Sequence, residues 1–97
     1  MPQHPGKILQ SDFLQTFNLS QYALAKAIGV PPRRINEIVK GERAITADTA
    51  LRLAVFFNVS EFYWMGLQNQ YDAGRERKAI AKTLNAIQPY GTPHTPA

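Results

Sequence analysis

The sequence predicts an all-α fold of five helices followed by a basic helical extension. Three observations carry this expectation. Apolar residues recur near i, i+3 and i+4 between Gly, Pro and Asn stops, which is the period of helices with one buried face. No alternating run of β-branched residues suggests a strand. The 97 residues include no cysteine, so the domain must build an ordinary apolar core without disulfides or thiolate-bound metal.

The elements follow in order. Pro5 and Gly6 open the first helix, where proline's missing N–H costs nothing. Ile8, Leu9, Phe13, Leu14 and Phe17 form its buried face, and Asn18 stops it. Ser20 is a good N-cap for a short second helix carrying Tyr22, Leu24, Ala25 and Ile28. Gly29 ends that helix by accepting a positive φ. Val30 leads into Pro31 and Pro32, which start a third helix reaching Lys40. Ile35, Ile38 and Val39 face inward there, and Gly41 is the stop. Thr46 caps a fourth helix, with Asp48 favourable to the dipole in its first turn. Ala47, Ala50, Leu51, Leu53, Ala54 and Phe57 are its apolar set. Asn58 ends it and Ser60 caps a fifth, which carries Phe62, Tyr63, Trp64, Leu67 and Tyr71.

Gly74 interrupts this pattern. Ile80, Leu84 and Ile87 then lie at i, i+4 and i+7, a narrow stripe that either continues the fifth helix or forms a separate one. Pro89 closes it. The expected organisation is a folded domain over 1–74, a basic helical extension over 75–88 and a disordered tail over 89–97. The tail has little apolar surface to bury.

The net charge of +4 makes polyanions the first partners to consider. Its distribution says more than its size. Residues 1–19 are neutral, 20–43 carry +3, 44–74 carry −2 and 75–97 carry +3. No apolar run approaches the ~20 residues that cross a bilayer. Met1 to Gln10 lacks the charged and apolar regions of a signal peptide. The expectation is a soluble, cytoplasmic protein with no membrane contact.

The informative stretch is Gln21 to Lys40. Two short helices form a DNA-reading unit only if they cross closely, turn tightly and anchor the second helix by one apolar side. Counting from Gln21, the fifth residue is Ala25, small enough for close crossing. The ninth is Gly29, at the turn. The fifteenth and eighteenth are Ile35 and Ile38, on one face of the second helix of the unit. The four conditions are met together. The outward face then offers residue types that reach base edges. Arg33 and Arg34 pair with guanine, Asn36 with adenine, and Glu37 accepts from cytosine. Pro32 contributes apolar contact, for example to a thymine methyl. Gln21, Lys40 and Arg43 are placed to hold phosphates.

Other constellations are weaker. The aromatic stretch on the fifth helix supplies core, but its side chains cannot all share one narrow stripe. Part of Tyr63, Trp64, Met65, Leu67, Gln68 and Tyr71 is therefore expected to form a dimer contact, with Tyr63, Met65 and Gln68 outward. Arg75 to Lys82 could grip phosphates, contact a toxin or solubilise a helix end, and reads first as a solvated helix end. His4 and His94 lie far apart in Pro-rich termini with no carboxylate cluster beside them. No nucleophile elbow or phosphate-binding Gly-rich loop is present. No metal, cofactor or enzymatic activity is expected.

With these residues in view, the chain resembles the xenobiotic-response-element (XRE) type of helix-turn-helix domain, and specifically its HigA-type antitoxin branch. The resemblance covers about residues 4–73. It rests on His4-Pro5-Gly6 with Ile8-Leu9, on Leu19-Ser20-Gln21, and on Ile35-Asn36-Glu37-Ile38-Val39 with Gly41 and Arg43. The more specific part is the run from Ile45-Thr46 through Ala47-Asp48-Thr49-Ala50-Leu51-Arg52-Leu53-Ala54, with Trp64, Leu67-Gln68 and Tyr71-Asp72. The resemblance implies a five-helix, lambda-repressor-like domain that dimerises and binds a palindromic operator before its own operon. It further implies neutralisation of a small ribonuclease toxin encoded alongside. Related chains also act as stand-alone regulators with no toxin, and that is the alternative reading.

Overall fold

The chain enters its first helix through a clasp of three buried residues. His4 caps it, its Nδ1 accepting from the Gly6 N–H at 2.9 Å, and Pro5 occupies the first turn. Gly6 is required here. A Cβ at that position would collide with the Ile38 carbonyl oxygen, so the N-terminus lies directly against the end of a later helix. The computed structural model describes residues 2–91, and all regular structure within them is helical.

Helix α1 spans Pro5–Ile8 and passes into a π-helical segment, Leu9–Leu14. The sequence pattern there holds two five-residue spacings, Ile8 to Phe13 and Leu9 to Leu14. In an α-helix such pairs point about 140° apart. One extra residue per turn brings them toward one face. Leu9 and Leu14 are both buried as a result. Gln15 is its C-cap, and Asn18 closes the following turn at φ 51°.

Helix α2 spans Gln21–Ile28 and is capped by Ser20, whose Oγ accepts from Ala23 N at 3.0 Å. Gly29, at φ 75°, terminates it. Helix α3 spans Pro32–Val39. Ala25, Ile35 and Ile38 are wholly buried where α2 and α3 cross. The reading of this unit therefore holds in structure as it stands in sequence.

Helix α4 spans Ala47–Phe57 and ends at Asn58, φ 56°. Two expectations change here. Thr46 stands at the N-cap, but its hydroxyl accepts no hydrogen bond from the helix. Leu51 is not part of the core; it is exposed, because Ala50, Leu53 and Ala54 already turn α4's inner face to the domain.

Helix α5 spans Tyr63–Ala79 without a break at Gly74. The folded body and the basic segment thus share one rod, and the expected boundary at 74/75 falls inside it. Ser60 caps the turn before it, accepting from Phe62 N at 3.2 Å. Trp64 is fully buried beside Phe13, at 4.9 Å between ring centroids, and Phe57, at 6.3 Å. A kink at Ile80 separates α6, Ala81–Ala86, which packs on the end of α5 and buries none of its residues. The extension accounts for the elongated shape, 52 × 29 × 22 Å. Residues from Ile87 to Gly91 are irregular, and the rest of the expected tail, 92–97, lies outside the described residues.

Candidate nucleic-acid interface

Helix α3 presents the residues singled out by the sequence. Pro32, Arg33 and Lys40 are exposed, while Arg34, Asn36 and Glu37 are half-buried along the same side. The apolar anchors Ile35 and Ile38 fix the helix's rotation, so the polar set cannot turn inward without leaving the core.

The structure links these side chains in a way their spacing alone does not reveal. Glu37 accepts from Arg33 Nε at 3.1 Å and from Arg43 Nε at 2.8 Å. One carboxylate thus holds a residue expected on bases and one expected on phosphates. Hydrogen bonding to Arg43 first, and to Arg33 after it, keeps the Glu37 carboxyl below its ordinary value. Asn36 Nδ2 donates to Gln21 Oε1 at 3.3 Å, joining α3 to the start of α2. Arg34 turns toward α4 and lies 3.8 Å from Asp48. It is the least accessible of the basic residues on this face, with its side chain one-third exposed.

Two residues given no functional role from sequence matter here. Arg52 Nε donates to Asp48 at 2.8 Å, and its Nη1 donates to the Ile28 carbonyl at 2.7 Å. It lashes α4 to the turn between α2 and α3. The Asp48–Arg52 spacing of four was a visible helix-pair signal. His4 is buried rather than idle. Its ring meets Tyr71 edge-on at 5.0 Å and packs beside Gly41, just after α3. Burial pushes its pKa below the ordinary value; a hydrogen bond to the Arg43 backbone and the nearby Asp72 charge oppose this, and Arg75 adds to it.

The dimer residues expected on α5 need correction. Trp64 is wholly enclosed by its own protomer and has no surface to offer a second copy. Gln68 points inward, not outward. Its Oε1 accepts from Ile45 N at 2.8 Å and its Nε2 donates to Asp72 at 3.0 Å. Tyr71 is partly covered by His4, with Arg75 over its ring at 5.4 Å. Met65 and Leu67 are half-buried against the core, and only Tyr63 is exposed. The large exposed apolar residues on the folded body instead include Leu51, Val55 and Phe56 of α4, together with Phe17, Tyr22 and Phe62.

Among the described residues there is no cluster of His, Asp and Glu that could hold a metal ion, and no helix is long and apolar enough to cross a membrane.

Comparison with known proteins agrees with this geometry. A helix-turn-helix family model, HTH_3, matches residues 12–64. The chain is 45% identical over 89 residues to virulence-associated protein I of Dichelobacter nodosus, covering 92% of this chain and 82% of the relative. A Pseudomonas aeruginosa protein crystallised with its 18-bp operator DNA is 39% identical, with a TM-score of 0.90 over 95% of this chain and 98% of that one. The P. aeruginosa antitoxin HigA, solved with the higBA promoter, is 40% identical, with a TM-score of 0.86 over 92% of this chain and 98% of that one. The chain therefore belongs to the XRE-type helix-turn-helix family, and within it to the HigA-type branch.

Proposed function

We propose that this protein is a cytoplasmic, sequence-specific repressor that acts as the antitoxin of a toxin–antitoxin pair. Helix α3 enters the major groove, where Pro32, Arg33, Arg34, Asn36 and Glu37 meet base edges. Gln21, Lys40 and Arg43 hold the phosphate backbone on either side. Two copies related by a two-fold axis place two such helices about one DNA turn apart, ~34 Å, on a palindromic operator before the protein's own operon. The same protein neutralises a small ribonuclease encoded beside it.

The observation that supports this reading most is the likeness to the P. aeruginosa protein solved on its operator, combined with an α3 whose outward face is free of core duties. Arg33 is the stronger candidate for a guanine contact, because its side chain is 86% exposed against 33% for Arg34.

Selection of bound DNA from a random pool tests the reading directly. A palindrome with half-sites about 10 bp apart is the expected product. A pool that enriches no sequence defeats the repressor role. Co-expression with the product of the adjacent reading frame tests the antitoxin role. Rescue of growth and a co-purifying complex are expected, and a chain that binds its operator yet captures no toxin is a stand-alone regulator.

A further inference from the structure

A cavity of about 380 Å³ opens between the start of α3, the loop after it and the first turn of α4. Three guanidinium groups line it, those of Arg34, Arg43 and Arg52, against one carboxylate, Asp48. Their donors are only partly used. Arg52 spends Nε on Asp48 and Nη1 on the Ile28 and Gly29 carbonyls, and Arg43 spends Nε on Glu37. Arg34 stays 3.8 Å from Asp48, too far for a hydrogen bond. Among the described residues, Nη2 of Arg52, both Nη atoms of Arg43 and the whole Arg34 guanidinium have no hydrogen-bond acceptor.

The start of α4 adds donors of its own. Its first helical bond runs from Ala50 N to the Thr46 carbonyl, so the N–H groups of Ala47, Asp48 and Thr49 precede the ladder. The Thr46 hydroxyl, which lines the cavity, caps none of them. Thr49 is 2% exposed and also lines the cavity, and its hydroxyl makes no hydrogen bond among the described residues. We infer that this cavity binds a free phosphate group, as inorganic phosphate or on a small phosphomonoester, and that its occupant competes with operator DNA for Arg34 and Arg43. A tetrahedral oxyanion accepts on several sides at once, which suits donors converging from three elements. Thr49 selects a free ion over a phosphate of the duplex. A phosphate fixed in a DNA backbone meets the rim, whereas a free one reaches a side chain this deep. The competition rests on the operator-reading function proposed above; the binding does not.

Titration of the ¹⁵N-labelled full chain with inorganic phosphate, against sodium chloride at matched ionic strength, tests the inference. Saturable shifts centred on the amides of Ala47, Asp48 and Thr49 and on the arginine side chains are expected. Operator Kd should be several-fold weaker in saturating phosphate than in chloride, and saturating operator should weaken phosphate binding by the same factor. Thr49→Val keeps the shape of the side chain and removes its hydroxyl. It should weaken phosphate binding on the order of tenfold, with operator Kd in chloride unchanged. Should that variant not fold, the wild-type titration still decides. Shifts that never saturate and spread equally over Arg75 to Lys82 are general screening and overturn the inference. A folded Thr49→Val that loses as much operator affinity in chloride as phosphate affinity gives the cavity to the duplex and also overturns it. A site that saturates while operator Kd stays at its chloride value overturns the competition. The DNA-reading proposal fails separately: a chain that binds phosphate at these residues yet selects no DNA sequence keeps the site and loses the operator.

Discussion

On the proposed reading, Glu37 links recognition to its own restraint. Without DNA it holds Arg33 and Arg43, at 3.1 and 2.8 Å, so both guanidinium groups are aimed before any groove arrives. Pre-aimed donors lose less freedom on binding and reach fewer wrong targets. Glu37→Gln releases both arginines and removes one negative charge from the face. Affinity for unrelated DNA should rise and discrimination should fall. The ratio of Kd for the operator to Kd for a scrambled duplex, at one fixed salt concentration, checks this. An unchanged ratio means that Glu37 only solvates the helix. What was legible in the sequence is that Arg33, Asn36 and Glu37 stand at outward positions of a glycine-turned helix pair. The pairings were not. Arg43 reaches Glu37 only because Gly41, at φ 79°, turns the chain back beside α3. A short loop's path is not written in helical periodicity.

At the scale of elements, the stops at Asn18, Gly29, Gly41 and Asn58 were readable because a positive φ is a local demand, whereas Gly74, with no such φ, lies inside α5. What the helix period could not show was how elements press on one another. The first helix reads as one amphipathic stretch, yet it contains a π-helical segment, since the domain has to bury both Leu9 and Leu14. Leu51 matches the apolar period of α4 but stays outside, because the inner face was already complete. Two glycines in helices separate these local and long-range demands. Gly6 has the Ile38 carbonyl where its Cβ would go, whereas Gly66 on α5 has nothing within 4 Å of that position. Gly6→Ala must push α1 from α3 and should cost about 1–3 kcal/mol, the usual penalty of overpacking. Gly66→Ala only restricts the unfolded chain and should stabilise by about 0.5–1 kcal/mol. Urea unfolding of both variants checks the pair. Opposite signs are expected, and a neutral Gly6→Ala would mean the clasp gives way without cost.

Across the whole molecule, His4 is the residue that ties together segments distant in sequence. It caps α1, rests against Gly41 and the Arg43 backbone after α3, and meets Tyr71 on α5. Nothing in its Pro-rich surroundings pointed to this, because the partners lie about 40 and 70 positions away, and sequence periodicity has no reach at that distance. Its chemistry makes the junction sensitive to pH. Nδ1 accepts from Gly6 N, so it has to be unprotonated for the cap to form. Burial favours the same neutral state and lowers the folded pKa beneath the ordinary 6.5. A depressed folded pKa contributes stability that is complete above the unfolded value, near 6.5. That contribution is lost as the pH falls from there through the lower folded value, because the unfolded chain takes up a proton the folded one resists. The stability of the wild type should therefore decline between about pH 7 and pH 5, before most carboxylates titrate. His4→Asn retains a side-chain acceptor for the Gly6 N–H but does not titrate. It should be less stable than wild type at pH 7, having lost the ring's contacts, yet flat across this window. Denaturant midpoints measured at half-unit pH steps decide the matter. A decline of equal slope in both proteins would place the sensitivity elsewhere and reduce His4 to packing alone.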